Sequence, residues 1–118
     1  MEITLYNKSG KPVAYIADDR ETIYLWDGYA VAYLSNDNVY GWNGKHFGWF
    51  VDKIVYDLHG LKVGFTREKC PVATYAEPAK YAKYAKNTKN TRNAPFARPA
   101  FSSGYSEKDL RDFLEEGS

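Results

Sequence analysis

From Leu5 to Thr66 aliphatic, aromatic and turn-forming residues return in the same order four times: Leu5 to Ile16, Ile23 to Leu34, Val39 to Phe50 and Val55 to Thr66 align over twelve columns without a gap. The second column is always Tyr (Tyr6, Tyr24, Tyr40, Tyr56) and the sixth is always Gly (Gly10, Gly28, Gly44, Gly60). Ser9, Asp27, Asn43 and His59 precede the glycines. Asp-Gly and Asn-Gly favour a two-residue type I′ turn, which needs positive φ at both central positions. Val13, Val31, Phe47 and Val63 follow in column nine, then Ala14, Ala32, Gly48 and Gly64, then Tyr15, Tyr33, Trp49 and Phe65. Each copy predicts one β-hairpin with its glycine at the tip.

A two-residue turn sorts the columns onto two faces, because side chains alternate along a strand and cross-strand partners point the same way. Columns two, four, seven, nine and eleven fall on one face, which gathers the tyrosines, then Lys8, Trp26, Trp42 and Leu58, then the Val/Phe and aromatic columns. The other face sets Leu5, Ile23, Val39 and Val55 opposite Ala14, Ala32, Gly48 and Gly64. An aliphatic residue opposite Ala or Gly leaves space for a close neighbour, most simply the next hairpin.

A lone hairpin is marginal in water, so copies spaced 18, 16 and 16 residues apart must bury their faces on one another. Linear stacks need distinct capping repeats, and none is visible. The expectation is an all-β domain of four β-hairpin repeats closed with four-fold pseudosymmetry. On its Tyr-x-x-x-Gly-x-x-Val/Phe-Ala/Gly-aromatic units, about half of the sequence, the chain resembles the small bacterial family of four-fold β-flowers, four hairpins around a central axis. The resemblance implies that fold and carries no activity, cofactor or catalytic residue.

From Val72 to Phe101 the period changes to three, and the middle residue of each triplet is Ala or Thr. In an α-helix a step of three residues turns about 300°, so the small column would circle the helix. Polyproline II keeps it on one side, and Pro71, Pro78, Pro95 and Pro99 fit that conformation. Ala79 to Lys86 has high helix propensity and keeps a short helix open as the rival. Members of the flower family look similar in carrying triplet tails, richer in proline and arginine than this one.

The last segment predicts a short helix. Ser106 and Asp109 have capping-box spacing, and Tyr105 can staple onto Leu110. Leu110, Phe113 and Leu114 form an apolar stripe stopped by Gly117. A helix this short must dock, and the aromatic-rich hairpins are its only substantial partner. The chain therefore divides into a hairpin domain at 1–69, an extended tail at 70–101 and a docked helix at 102–118. Returning the helix would wrap the tail around the domain, with its Ala/Thr column inward and Lys80, Lys83 and Lys86 in water.

Composition and charge add constraints. At 118 residues, 44% hydrophobic and 17% aromatic, the chain can bury one modest core. No apolar run approaches the ~20 residues of a membrane-spanning helix. Met1-Glu2-Ile3 leads into the first strand without a secretion-signal pattern, which favours a cytoplasmic location. Cys70 alone forms no intrachain disulfide, and two histidines give no familiar zinc spacing. The net charge of +1 conceals −2 over residues 1–66, +6 over 67–105 and −3 over 106–118.

No arrangement of these residues spells out a reaction, a cofactor or a metal site. His59 reads as a turn residue, since His is enriched at positive φ. His46 shares its column with Pro12, Ala30 and Lys62, which has no chemical logic. Arg67 and Lys69 near Cys70 favour a thiolate, but no motif sets a base beside it. Two binding surfaces are candidates. Trp26, Tyr29 and Trp42, beside the turns, could form exposed platforms that stack on sugar rings. Lys80, Tyr81, Lys83, Tyr84, Lys86, Lys89 and Arg92 interleave cations with aromatics, the electrostatic footprint of nucleic-acid or other polyanion binding. The expectation is a non-enzymatic binding or scaffolding module whose protein or glycan partner the sequence does not name.

Overall fold

The computed structural model describes residues 1–86 and 88–117; the triplet position Asn87 and the terminal Ser118 lie outside the described residues. Eight strands, β1 (Ile3–Tyr6), β2 (Pro12–Ile16), β3 (Thr22–Leu25), β4 (Ala30–Ser35), β5 (Asn38–Gly41), β6 (His46–Val51), β7 (Ile54–Asp57) and β8 (Lys62–Phe65), form a closed antiparallel barrel in sequence order. A helix, α1 (Leu110–Glu115), follows the tail. Most neighbouring strands share three or four residue pairs, whereas β1 and β8 close the barrel through Tyr6 and Phe65 alone. No described helix is long and apolar enough to cross a membrane.

The hairpin turns differ from the expected two-residue type. In the first, the Asn7 N–H donates to Lys11 O at 3.0 Å and the Gly10 N–H to Asn7 O at 2.9 Å, the pattern of a three-residue loop ending in a left-handed residue. The same bonds join Leu25 to Tyr29, Gly41 to Lys45 and Asp57 to Leu61. Gly10, Gly28, Gly44 and Gly60 have φ of 85°, 99°, 88° and 79°, while Ser9, Asp27, Asn43 and His59 do not have positive φ. Asp27 and Asn43 act instead through Oδ1, which accepts the N–H of Tyr29 and of Lys45. A two-residue turn with both centres left-handed does occur, but between hairpins, at Asp52 and Lys53 (φ 54° and 65°).

A bulge then restores the register. Leu5 faces Ala14 but Tyr6 faces Pro12, and the other hairpins repeat the shift between columns one and two. The unpaired extra residue is column nine, which the bulge turns inward. Val31, Phe47 and Val63 accordingly lie in the barrel core with Leu5, Ile23, Val39 and Val55, not on the aromatic face as the simple alternation predicts.

An eight-stranded barrel leaves an interior that side chains can fill, and α1 supplies several of them. Leu110, Phe113 and Leu114 are buried in the same core. A Cβ on Gly64 would lie 2.8 Å from Leu110 Cδ1; one on Gly48 would lie 3.0 Å from Phe113 Cζ and 2.3 Å from Tyr56 O. The small column thus makes room for the helix, with the neighbouring strand a second occupant at Gly48.

The helix is capped by Asp109, whose carboxylate accepts the Arg111 N–H. The box expected from Ser106 does not form, because Ser106 is buried and its N–H is taken by Lys62 O in β8. The segment is tied to all four hairpins. Asn7 Nδ2 donates to Asp109 Oδ1, Arg111 pairs with Asp27 at 2.9 Å, the Asn43 N–H donates to Gly117 O, and the Lys62 N–H donates to Gly104 O. All of these lie at or near the turns, so α1 plugs the barrel at its turn end.

Between barrel and plug, the described part of residues 71–101 contains neither helix nor strand, so the rival helix over 79–86 does not form. Thirty residues of projecting polyproline II would reach about 90 Å. The Cα radius of gyration is 13.1 Å, against about 13.5 Å for a compact chain of this length. The particle is a disc of 37 × 36 × 23 Å.

Candidate functional site

At each seam between hairpins, column eleven of one copy lies opposite the tyrosine of the next: Tyr15 with Tyr24, Tyr33 with Tyr40, Trp49 with Tyr56, Phe65 with Tyr6. Rings pair across strands on the barrel's outer face. Tyr15 and Tyr24 stack with centroids 5.6 Å apart, as do Tyr33 and Tyr40. The indole from column four stands edge-on to each stack: Trp26 to Tyr15 at 89° and Trp42 to Tyr33 at 88°.

The tail crosses these seams in steps of nine residues. Tyr75, Tyr84, Asn93 and Ser102 donate their N–H groups to the carbonyls of Gly10, Gly28, Gly44 and Gly60, at 2.9 to 3.0 Å. Tyr81 and Asn90 donate to the carbonyls of Trp26 and Trp42. Nine residues at ~3.1 Å each reach about 28 Å, which matches a quarter of the perimeter of a disc 36 Å across. Three triplets per hairpin is therefore the step that keeps an extended chain in register with a four-fold barrel.

Side chains follow the same step. Lys83, Arg92 and Phe101 lie over Tyr24, Tyr40 and Tyr56. Lys80 and Lys89 sit at the corners formed by Tyr15 with Trp26 and by Tyr33 with Trp42. Barrel carboxylates complete the contacts. Glu2 accepts Lys80 and Lys83 at 2.9 Å each, and Glu21 accepts Lys89 at 3.2 Å. Asp37 pairs with Arg98 at 3.2 Å and Asp19 with Lys86 at 3.9 Å. The hydrogen bonds from Lys80 and Lys83 hold the Glu2 carboxyl below its ordinary pKa, and Glu2 in turn raises that of Lys83. Burial raises the Tyr15 phenol.

The candidate residues from the sequence separate accordingly. Trp26 and Trp42 are only 9% and 8% exposed, and the Trp26 indole N–H donates to Pro78 O in the tail, so neither is an open platform. Tyr29 is 53% exposed and stacks on the equally exposed Tyr84 at 4.4 Å. Lys80, Lys83, Lys86 and Lys89 are not simply in water: each meets a barrel carboxylate. Arg92 lies over Tyr40 and donates to Ser35 Oγ, and Tyr81 holds its backbone contact with an exposed ring. A stripe neutralised in this way is a weaker polyanion site than its sequence charge suggests. Glu2, Glu21 and Asp37 were missed by sequence reasoning, although the opposite signs of barrel and tail were the available signal. Phe101 was missed because it carries the nine-residue step with a ring in place of a cation, and Arg98 because it lies beyond the dense run of cations from Lys80 to Arg92.

The third of these seams breaks the pattern. Column four there is Leu58, the Trp is moved to Trp49, and His46 stands edge-on to it at 81°. His46 Nδ1 accepts the Phe96 N–H at 2.9 Å, and burial lowers its pKa. A hollow of about 600 Å³ lies beside it, between Lys45, Leu58, Phe96 and Glu116.

Fold and surface define a closed barrel of four hairpins, girdled by an extended basic tail and plugged by a short helix. The chain belongs to the 4-fold beta flower proteins, whose family description matches residues 3–114. No curated protein and no solved structure matches it.

Proposed function

We propose that this chain is a non-enzymatic binding or scaffolding module whose barrel offers an outer track for an extended basic peptide, a track that its own tail occupies. The observation that carries this reading is the nine-residue step: four tip carbonyls accept four tail N–H groups, while aromatic seams receive the side chains between them. Backbone bonds give such a track affinity, and side-chain seats give it selectivity. The tail acts as a tethered competitor at high effective concentration. A partner fitting this chemistry is a protein segment with Ala/Thr-centred triplets and a lysine or arginine in every third triplet.

The test is fluorescence anisotropy of a labelled synthetic peptide spanning residues 70–101. Its targets are the full-length protein and a full-length K80A/K89A/R92A variant with a weakened tail. The variant is expected to bind the peptide at least about tenfold more tightly than the native chain. Absence of binding to both, or equal binding to both, would overturn the reading.

A further inference from the structure

We propose that the two seams that carry a column-four tryptophan are alkylammonium-binding sites, each built from a Tyr–Trp corner and a carboxylate, and that Lys80 and Lys89 are their ligands in cis. In the first, Lys80 Nζ lies 4.8 Å from the centroid of Tyr15 and 5.2 Å from that of Trp26, with Glu2 Oε1 at 2.9 Å. In the second, Lys89 Nζ lies 4.2 Å from Tyr33 and 5.4 Å from Trp42, with Glu21 Oε2 at 3.2 Å. Two rings at right angles present two negative faces to one cation, the arrangement by which aromatic cages hold ammonium groups.

Chance contact of a long surface side chain with a ring is the ordinary alternative, and the internal repeat argues against it. The two lysines are nine residues apart in the tail, and their rings are 18 residues apart along the barrel for the tyrosines and 16 for the tryptophans. The same corner is thus built twice from different stretches of sequence. At the third seam Leu58 replaces the tryptophan and the corner is gone. The tail position there is Arg98, which lies over Phe101 and pairs with Asp37 instead. Where the corner is lost the lysine is lost with it. Both lysines also remain reachable, with side chains 29% and 36% exposed, so an emptied corner opens to solvent.

The ligand class is an alkylammonium group small enough to stand between two rings: the side-chain amine of a lysine, its methylated forms, or a free quaternary amine. This inference deepens the binding reading above, naming what the seams select, but its test does not need a peptide to bind. Full-length Lys89→Ala retains the Asn90 and Asn93 backbone bonds that hold the tail at this hairpin. It is titrated with tetramethylammonium chloride and, separately, with a trimethyllysine-containing tripeptide, against sodium chloride at equal ionic strength. Tyr33 and Trp42 ring proton shifts are read by NMR. Saturable shifts are expected in Lys89→Ala at an affinity about tenfold or more above the native chain, and a Lys89→Ala/Glu21→Gln variant should bind more weakly. Preference for the tripeptide would assign the corner to a modified protein partner, and preference for the free amine to a metabolite.

Shifts in a folded Lys89→Ala chain that are linear and equal to those with sodium chloride would overturn the proposal. Should that variant not fold, the native protein decides. The Lys80 and Lys89 side-chain Hε protons must be displaced upfield by ring currents relative to those of exposed Lys53, and equal shifts would be fatal. Ammonium binding without peptide binding would sink only the peptide track, and peptide binding without ammonium binding only the cages.

Discussion

The ring of Phe101 lies parallel to that of Tyr56, with centroids 3.9 Å apart and planes 3° from alignment. Lys83 and Arg92 hold the corresponding places over Tyr24 and Tyr40, so one barrel position accepts either a cation or an aromatic ring. Phe101→Ala should destabilise the protein by about 2 kcal/mol, from lost burial and lost stacking. Phe101→Arg should recover part of that. Urea denaturation measures both, and an unchanged midpoint for Phe101→Ala would mean that the tail's end contributes nothing to the fold.

Gly44 has φ 88°, and a Cβ built there would lie 2.2 Å from Thr91 O. Gly44→Ala therefore meets both a strained backbone and the tail. The expected cost is about 2 kcal/mol, together with faster tryptic cleavage at Lys89 and Arg92. Cleavage at the native rate would contradict the contact.

Burial of His46 gives stability a pH dependence. Its folded pKa is depressed below the ordinary 6.5, so between these two values the unfolded chain binds a proton that the folded chain does not. Stability from this site is complete above pH 6.5 and is lost as pH falls toward the folded pKa, by at most about 1.4 kcal/mol per pH unit. The depressed Glu2 carboxyl acts in a lower window, below 4.5. Thermal melts from pH 7 to 5 should show a slope that His46→Phe flattens; an equal slope in both proteins would rule out His46 as its source.

The hairpins and their closure were legible because Tyr, Gly and the Ala/Gly column recur at fixed places, and each has a local cause. The turn type was not. A three-residue loop and a bulge shift the register in opposite directions and cancel at Leu5 with Ala14, so the pairing survives a wrong turn while Val31, Phe47 and Val63 change faces. Asp52-Lys53 takes both centres of a primed turn without glycine, which no dipeptide rule signals. The plug was half legible. Leu110, Phe113 and Leu114 called for a partner, but that Gly64 opens onto Leu110 is a long-range fact. In the tail, the triplet period masked the nine-residue one, because Lys83, Arg92 and Phe101 are chemically unlike and only the barrel makes them equivalent.

The nine-residue register is the central claim, and amide hydrogen exchange of the full-length protein tests it residue by residue. The N–H groups of Tyr75, Tyr84, Asn93 and Ser102, bound to tip carbonyls, and those of Tyr81 and Asn90, bound to Trp26 and Trp42, should exchange slowly. Phe96, whose N–H is bound to His46 Nδ1, should be protected as the one addition at the third seam, and the remaining amides of the triplets between them should exchange at rates near those of an open chain. Protection recurring every nine residues is the predicted result, and uniformly fast exchange from Val72 to Ser102 would contradict it.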